Sequence, residues 1–417
     1  MTVVATDRAQ VAEATPPRAR RWWRALLWSA LALVALLAAG GGALWLAARE
    51  AMGGRVEGAR LARAERSPQW RDGRFDNRLP RVDGPMLRAL GAFAFGGSEH
   101  RTPDAPVPVL ARSAADYRTP PASGLRVTWL GHSTLLLEID GRRVLIDPVW
   151  GERASPFTFM GPQRFFAPPL PLAELPPVDA VVISHDHYDH LDVPTVRALV
   201  ARGVRWIVPL GVGAHLRAWG VAEHDVTELD WWDAAQVEGI TVTATPARHF
   251  SGRGLGDRNR TLWAGWAFAG ATHRVFYSGD TALHEEFDDI GARLGPFDLT
   301  MIESGAYSAM WADVHLGPEQ AVLAHRLVRG DVMLPVHWGL FDLALHGWTE
   351  PMERVLVAAR QAGVRVASPR PGGMVEPATV GAPERWWPTV PWQGAAEAPV
   401  RSTGVASLQR LMPDAPR

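Results

Sequence analysis

The stretch Val178–Asp192, VDAVVISHDHYDHLD, constrains the fold of this 417-residue chain more than any other. The apolar run Ala180 to Ser184 reads as a strand. It leads straight into three histidines and three aspartates within eight positions. A surface turn needs one or two such residues. His185, His187, Asp189 and His190 form an H-x-H-x-D-H pattern. On a helix, His187 and His190 would share a face and His185 would not. A tight turn directly after a strand aims all four inward instead. Zinc takes histidine nitrogen and carboxylate oxygen at about 2.0–2.2 Å, usually in a tetrahedral shell. Four such groups exceed one metal's share once a water is included. The spacing therefore predicts two metals, with His185 and His187 on one and Asp189 and His190 on the other. Asp186 is left to the loop, and Asp192 is expected to cap the following helix.

Two metals need further ligands, and these should also stand where strands end. His249 follows ITVTATPAR, Asp280 ends RVFYSGD and His337 ends VMLPVH. Each is at the carboxyl end of an apolar run, where an α/β scaffold places its working groups. Asp280 is placed to bridge both ions. The chain has no cysteine, which excludes disulfides, thiolate zinc sites and a cysteine nucleophile. Any metal is bound by nitrogen and oxygen, a donor set that suits zinc and also admits iron or manganese. A formal net charge of -1 gives no reason to expect nucleic acid.

Residues 25–48 (ALLWSALALVALLAAGGGALWLAA) carry no charge. As a helix they reach about 36 Å, enough to cross a hydrocarbon core of roughly 30 Å. The predicted organisation is a basic tail over 1–24, a transmembrane anchor or uncleaved signal over 25–48, and a linker with a short pre-domain over 49–120. A catalytic domain follows over 121–375, then a Pro/Ala-rich tail over 376–417. Arg18, Arg20, Arg21 and Arg24 ahead of the span favour an extracytoplasmic catalytic domain, although five arginines also follow it. Within the domain, LRVTWLG, TLLLEID and RRVLIDP read as strands, the last two joined at Asp140-Gly141. DAVVIS, RWIVPL, ITVTATP, LWAGWAFAG, RVFYSGD, LTMIES and VMLPVH continue the strand pattern. Helices are expected after Asp192, from Pro318 to Gly330, and from Thr349 as cap to Gly363.

The stretches WLGHSTLLLEIDGRRVLIDPVWGERASPFTFMGPQRF, ELPPVDAVVISHDHYDHLD, YSGDTALHEEFDDIGARLGPFDL and PVHWGLFDLA resemble the metallo-β-lactamase superfamily. Within it they are similar to the N-acyl-phosphatidylethanolamine-hydrolysing phospholipase D branch and its bacterial relatives. The resemblance covers about Arg126 to Pro351. It implies an αββα sandwich, preceded here by one transmembrane helix. It also implies metal positions at His185, His187, Asp189, His190, His249, Asp280 and His337, and so two zinc ions.

In such a site a metal-bridging hydroxide is expected to attack phosphorus or a carbonyl. Asp189 and His315 are the candidate catalytic residues, His315 as proton donor or substrate contact. Asp147 is a candidate partner for a ligand histidine. His132 and His346 are further candidates near the site, and Phe159 and Phe166 belong to an aromatic loop suited to acyl chains. The expected activity is a phosphodiesterase of phospholipase D type on N-acyl phospholipids or similar amphiphiles. A lactone or cyclic-ester hydrolase is the alternative, followed by a non-catalytic, membrane-tethered metal-binding protein. The expected partners are a small-molecule or lipid substrate and the membrane, met through the N-terminal helix.

Overall fold

The computed structural model describes residues 18–82, 84 and 86–412. They divide into two compact units, Met1–Glu50 and Ala51–Arg417. The first unit holds one helix, Arg18–Ala48. Its segment Trp22–Ala48 is 27 residues long with a mean hydropathy of 2.1, long and apolar enough to cross a membrane. Residues 1–17 of the expected basic tail and 413–417 of the expected C-terminal tail lie outside the described residues.

The second unit opens with the short helix Gly58–Ala64 and a hairpin, β1 (Trp70–Arg71) and β2 (Arg74–Phe75). One seven-stranded sheet then collects β3 (Leu125–Trp129), β4 (Leu135–Ile139), β5 (Arg142–Ile146), β6 (Ala180–Val182), β7 (Arg205–Pro209) and β8 (Val226–Leu229). A second is built from β9 (Ala234–Val237), β10 (Ile240–Thr245), β11 (Gly265–Ala269), β12 (Arg274–Tyr277), β13 (Phe297–Glu303), β14 (Gly330–Val336) and β15 (Arg365–Val366). The last strand, β16 (Met374–Val375), returns to the first sheet. The orders are β16-β3-β4-β5-β6-β7-β8 and β15-β14-β13-β12-β11-β10-β9. Each sheet is part antiparallel and part parallel, with β5–β8 parallel in one and β12–β15 parallel in the other.

Every residue of β3 and β4 is buried, so their runs lack the polar alternation of a sheet with one wet face. One apolar cluster fills the space between the sheets, with Val127, Leu137, Val242, Phe268 and Met301 in it. A separate cluster joins Leu136, Leu145 and Val181 to Val196, Leu199 and Leu216 of the helices Val193–Val200 and Gly213–Ala218. This is the αββα arrangement of the metallo-β-lactamase fold.

The three expected helices form at Val193–Val200, Pro318–Leu327 and Glu350–Ala362. Asp192 caps the first by accepting the Thr195 N–H at 3.1 Å. Thr349 does not cap the third. Its backbone is already helical, and its buried hydroxyl has no hydrogen-bond partner among the described residues. Gly363 closes that helix with φ of +67°.

The chain on either side of the sandwich is drawn into it. Arg60 reaches Glu223 at 2.6 Å and Glu228 at 3.3 Å, which fastens the helix Gly58–Ala64 beside β8. After Val375, Trp386 and Trp387 are buried, and Trp386 stacks on Trp338 at 5.5 Å between ring centres. The expected tail therefore supplies core side chains, because two indoles hide more apolar surface there than they can in water.

Candidate metal centre

Seven strands deliver side chains to one region, all from their carboxyl ends. His132 follows β3, Asp147 follows β5, and His185 to His190 follow β6. His249 follows β10, Asp280 follows β12, Glu303 ends β13 and His337 follows β14. Three of these residues sit in the left-handed backbone region: His132 (φ +53°), Asp147 (φ +40°) and His337 (φ +64°). Non-glycine residues pay conformational energy there, and such positions concentrate at functional sites. Gly279, just before Asp280, has φ of +58°, and a Cβ at that position would come within 2.7 Å of the Ala264 carbonyl. The turn that aims Asp280 therefore needs glycine.

Two groups of ligand atoms result. His185, His187, His249 and Asp280 form one, with all four ligand atoms within 4.8 Å of one another. In it, His185 Nε2 and His187 Nδ1 lie 2.8 Å apart, His249 Nε2 stands 3.3 Å from the same Nδ1, and Asp280 Oδ2 is 3.7 Å from His185 Nε2. The other group is His132, Asp189, His190 and His337. Asp280 faces it too, 3.2 Å from His190 Nε2 and 3.0 Å from His337 Nε2.

The atoms left over test whether a cation fits. His190 Nε2, His337 Nε2 and Asp280 Oδ1 are buried without hydrogen-bond partners among the described residues. Orphaned buried polar atoms are rare in proteins and demand a reason. Nitrogen and carboxylate atoms converging from four strands fit divalent cations of the zinc, iron or manganese type.

The opposite ring nitrogens are anchored. Buried Asp147 accepts from His190 Nδ1 at 2.7 Å, from Ser184 N at 2.7 Å, from Ser184 Oγ at 2.5 Å and from Tyr277 OH at 2.6 Å. His249 donates Nδ1–H to the Val314 carbonyl at 2.9 Å, which leaves Nε2 for a ligand role. Such partners fix the tautomer and the ring plane of a ligating histidine.

Electrostatics divide the imidazoles. Burial holds those of His185, His187 and His249 below the usual histidine range, as neutral donors. At His190 and His337 burial is outweighed by the carboxylates of Asp280 and Asp189, which push His337 up to about 10. A cation held there would compete for the same lone pairs, and its binding would release those protons.

The remaining expected residues fall in different places. His132 lies closer than expected, with Nε2 2.9 Å from Asp189 Oδ2. His315 donates to Glu303 Oε2, and the two join Asp280 and His337 in a third group of ligand-capable atoms. Asp186 joins none of these groups and accepts from Thr261 Oγ1 and Gly252 N, both at 2.8 Å. Phe166 is buried against Gly131, whose added Cβ would meet its ring at 2.9 Å, so it packs under the His132 loop. Phe159 is 60% exposed. His346 stacks on Tyr307 at 4.2 Å and lines a cavity of about 650 Å³ together with Glu350 and Trp392. The same His346 also borders a small cleft that reaches His337.

Two residues escaped the sequence reading. Glu303 ends the LTMIES strand, so the strand-end rule that found Asp280 would have found it. Arg253 left no local signal. Its buried guanidinium donates to the Leu191 carbonyl at 2.9 Å and lies over the Tyr188 ring at 4.0 Å, bracing the H-x-H-x-D-H turn.

Comparison with known proteins agrees with this geometry. Residues 142–338 match the family described as the β-lactamase superfamily domain. An uncharacterised protein of Mycobacterium tuberculosis is 51% identical over 332 residues, covering 78% of this chain and 88% of the relative. The N-acyl-phosphatidylethanolamine-hydrolysing phospholipase D 1 of Caenorhabditis elegans is 38% identical over 279 residues, covering 63% of this chain and 78% of the worm protein. The mitochondrial enzyme of that name from Saccharomyces cerevisiae is 32% identical over 251 residues, covering 57% of this chain and 52% of its own. With its paired His/Asp groups at the strand ends, the chain belongs to the metallo-β-lactamase superfamily, as one of its metal-dependent hydrolases.

Proposed function

We propose that the chain is a binuclear, zinc-dependent phosphodiesterase of the phospholipase D type. Its substrate is an N-acyl phospholipid or a similar amphiphile, split by water into an alcohol and a phosphomonoester. The observation that carries the reading is Asp280, a single carboxylate within 3.0–3.7 Å of ring nitrogens in both ligand groups. His185, His187 and His249 would hold one ion, Asp189, His190 and His337 the other, with Asp280 between them. Bound ions supply Lewis acidity at the phosphoryl oxygens. The names of the worm and yeast relatives support the phospholipid class.

The chain's own residues do the rest. His132 Nε2 holds the Asp189 carboxylate at 2.9 Å and fixes its direction. Glu303 accepts from His315 Nδ1 and so orients the ring, leaving His315 Nε2 to deliver a proton to the leaving alcohol oxygen. The cavity of about 650 Å³ beside His346 offers room for part of an amphiphile. The helix Trp22–Ala48 anchors the enzyme at the bilayer that holds its substrate, with the catalytic unit outside the cytoplasm.

The test is metal analysis with a substrate panel on one sample. Close to two ions per chain are expected, with cleavage of N-acyl-phosphatidylethanolamine and bis(p-nitrophenyl) phosphate. Cleavage of lactones alone would replace the phosphodiesterase reading. A folded sample prepared with excess zinc, iron or manganese that still holds no ion would sink the hydrolase reading altogether.

A further inference from the structure

Away from the candidate metal ligands, a pocket of about 410 Å³ is lined by a cluster of arginines. Arg71, Arg74, Arg78, Arg81 and Arg258 line it, with Asp76 as the single acid among its described lining residues. We propose that this pocket binds the phosphate group of a second ligand, distinct from whatever occupies the metal centre.

Arginine stays charged at any physiological pH, and its planar fork of N–H donors matches phosphate oxygens. All 43 basic residues of the chain are arginine, so an isolated surface arginine carries no message here. The arrangement of these five does. Arg71 and Arg74 face each other across the β1/β2 pair. Like charges at directly opposed positions destabilise a hairpin, and an anion between them removes that cost. Asp76 stands 3.5 Å from Arg74 and Glu286 3.5 Å from Arg78.

The walls of the pocket are fixed before any ligand arrives. Phe75 N donates to the Asn259 carbonyl at 2.8 Å, and Asn259 Nδ2 returns a bond to the Phe75 carbonyl at 3.0 Å. The hairpin is thereby pinned to the loop that carries Arg258. Arg81 lies 4.5 Å and Arg258 5.8 Å from the centre of the Phe250 ring. Such preorganisation lowers the entropy that binding would otherwise cost.

The pocket also adjoins the metal centre through consecutive residues. His249 turns to the ligand cluster while Phe250, its neighbour, packs on the His187 ring at 4.4 Å and receives the arginines. Asn77 of the pocket accepts from His249 N at 3.0 Å and donates to the His249 carbonyl at 2.8 Å. A phosphate held here would sit one residue away from a candidate metal ligand. Leu255, wholly exposed in the loop that also bears Arg258, is placed to touch an acyl chain if that phosphate belongs to a lipid.

The experiment titrates glycerol 3-phosphate and dihexanoyl phosphatidic acid into the full chain in zwitterionic detergent, followed by calorimetry and thermal melting. Wild type is compared with the Arg71→Gln/Arg74→Gln double variant and with His185→Ala. The expected result is phosphate binding that survives in His185→Ala and weakens by about tenfold or more in the double variant. The double variant should also melt no lower than wild type without ligand, and lose the rise in melting temperature that phosphate gives wild type. Tighter binding of the dihexanoyl lipid than of glycerol 3-phosphate assigns the site to a lipid headgroup, and equal affinities assign it to a soluble phosphate ester. No binding in wild type overturns the proposal. So does binding that His185→Ala abolishes and the double variant retains, since the metal centre would then account for it. The proposal does not depend on the hydrolase reading.

Discussion

His315 Nδ1 lies 2.7 Å from Glu303 Oε2, and Glu303 is fully buried while the imidazole is partly exposed. A carboxylate that accepts from Nδ1 sets which ring nitrogen faces the substrate.

His315→Gln is therefore expected to lower kcat by about 10²–10⁴-fold with KM little changed and metal content intact. Glu303→Gln should cost less, about tenfold, because an amide oxygen can still accept from Nδ1 and orient the ring. Steady-state kinetics with metal analysis on the same samples separates these effects from loss of ions.

Asp147→Asn removes the charge from an acceptor shared by His190, Ser184 and Tyr277. The expected outcome is metal affinity about 10–100-fold weaker, read by competition with a chelator. Unchanged affinity would make Asp147 a purely architectural residue.

His325 sets an acid limit on stability away from the centre. Burial holds its imidazole down at about 4, while Thr300 Oγ1 engages Nδ1 at 2.7 Å. An exposed histidine titrates near 6.5. Below that pH the unfolded chain takes up a proton that the folded chain refuses. The contribution is whole above about pH 6.5 and falls away as pH drops towards 4, amounting to about 3 kcal/mol at most. His325→Gln should flatten this part of the stability profile, measured by urea midpoints between pH 7 and pH 4.5.

Removing residues 1–48 should shift the protein from the membrane to the soluble fraction and leave hydrolysis of bis(p-nitrophenyl) phosphate unchanged. The compact unit Ala51–Arg417 contains every candidate metal ligand. Unaltered fractionation would count against the anchor.

Much of the site was legible because its chemistry is written at strand ends. His185, His187, Asp189, His190, His249, Asp280 and His337 all follow apolar runs, and the structure brings their side chains together. Glu303 obeys the same rule and was passed over because a lone glutamate after a strand draws less notice than a histidine. The fold was legible in its interior and not at its margins. The four sandwich strands that the sequence pattern missed, β8, β9, β15 and β16, are the outermost strands of the two sheets. Edge strands are short and tolerate polar residues, as VTEL and AAQV do here, so they lack the apolar signature of central strands. The roles of Trp386 and Trp387 were hidden for another reason. A Pro/Ala-rich stretch reads as surface chain unless the cavity its indoles fill is known.

The left-handed backbone at His132, Asp147 and His337 limits how this protein can be redesigned. Positions with φ of +40° to +64° admit glycine and asparagine readily and penalise β-branched side chains before any contact is counted. A mutational library that samples all amino acids there would mostly measure backbone tolerance. One restricted to Asn, Asp, Gly and His would measure chemistry. The ligand set could then be rewritten for another metal on the same scaffold.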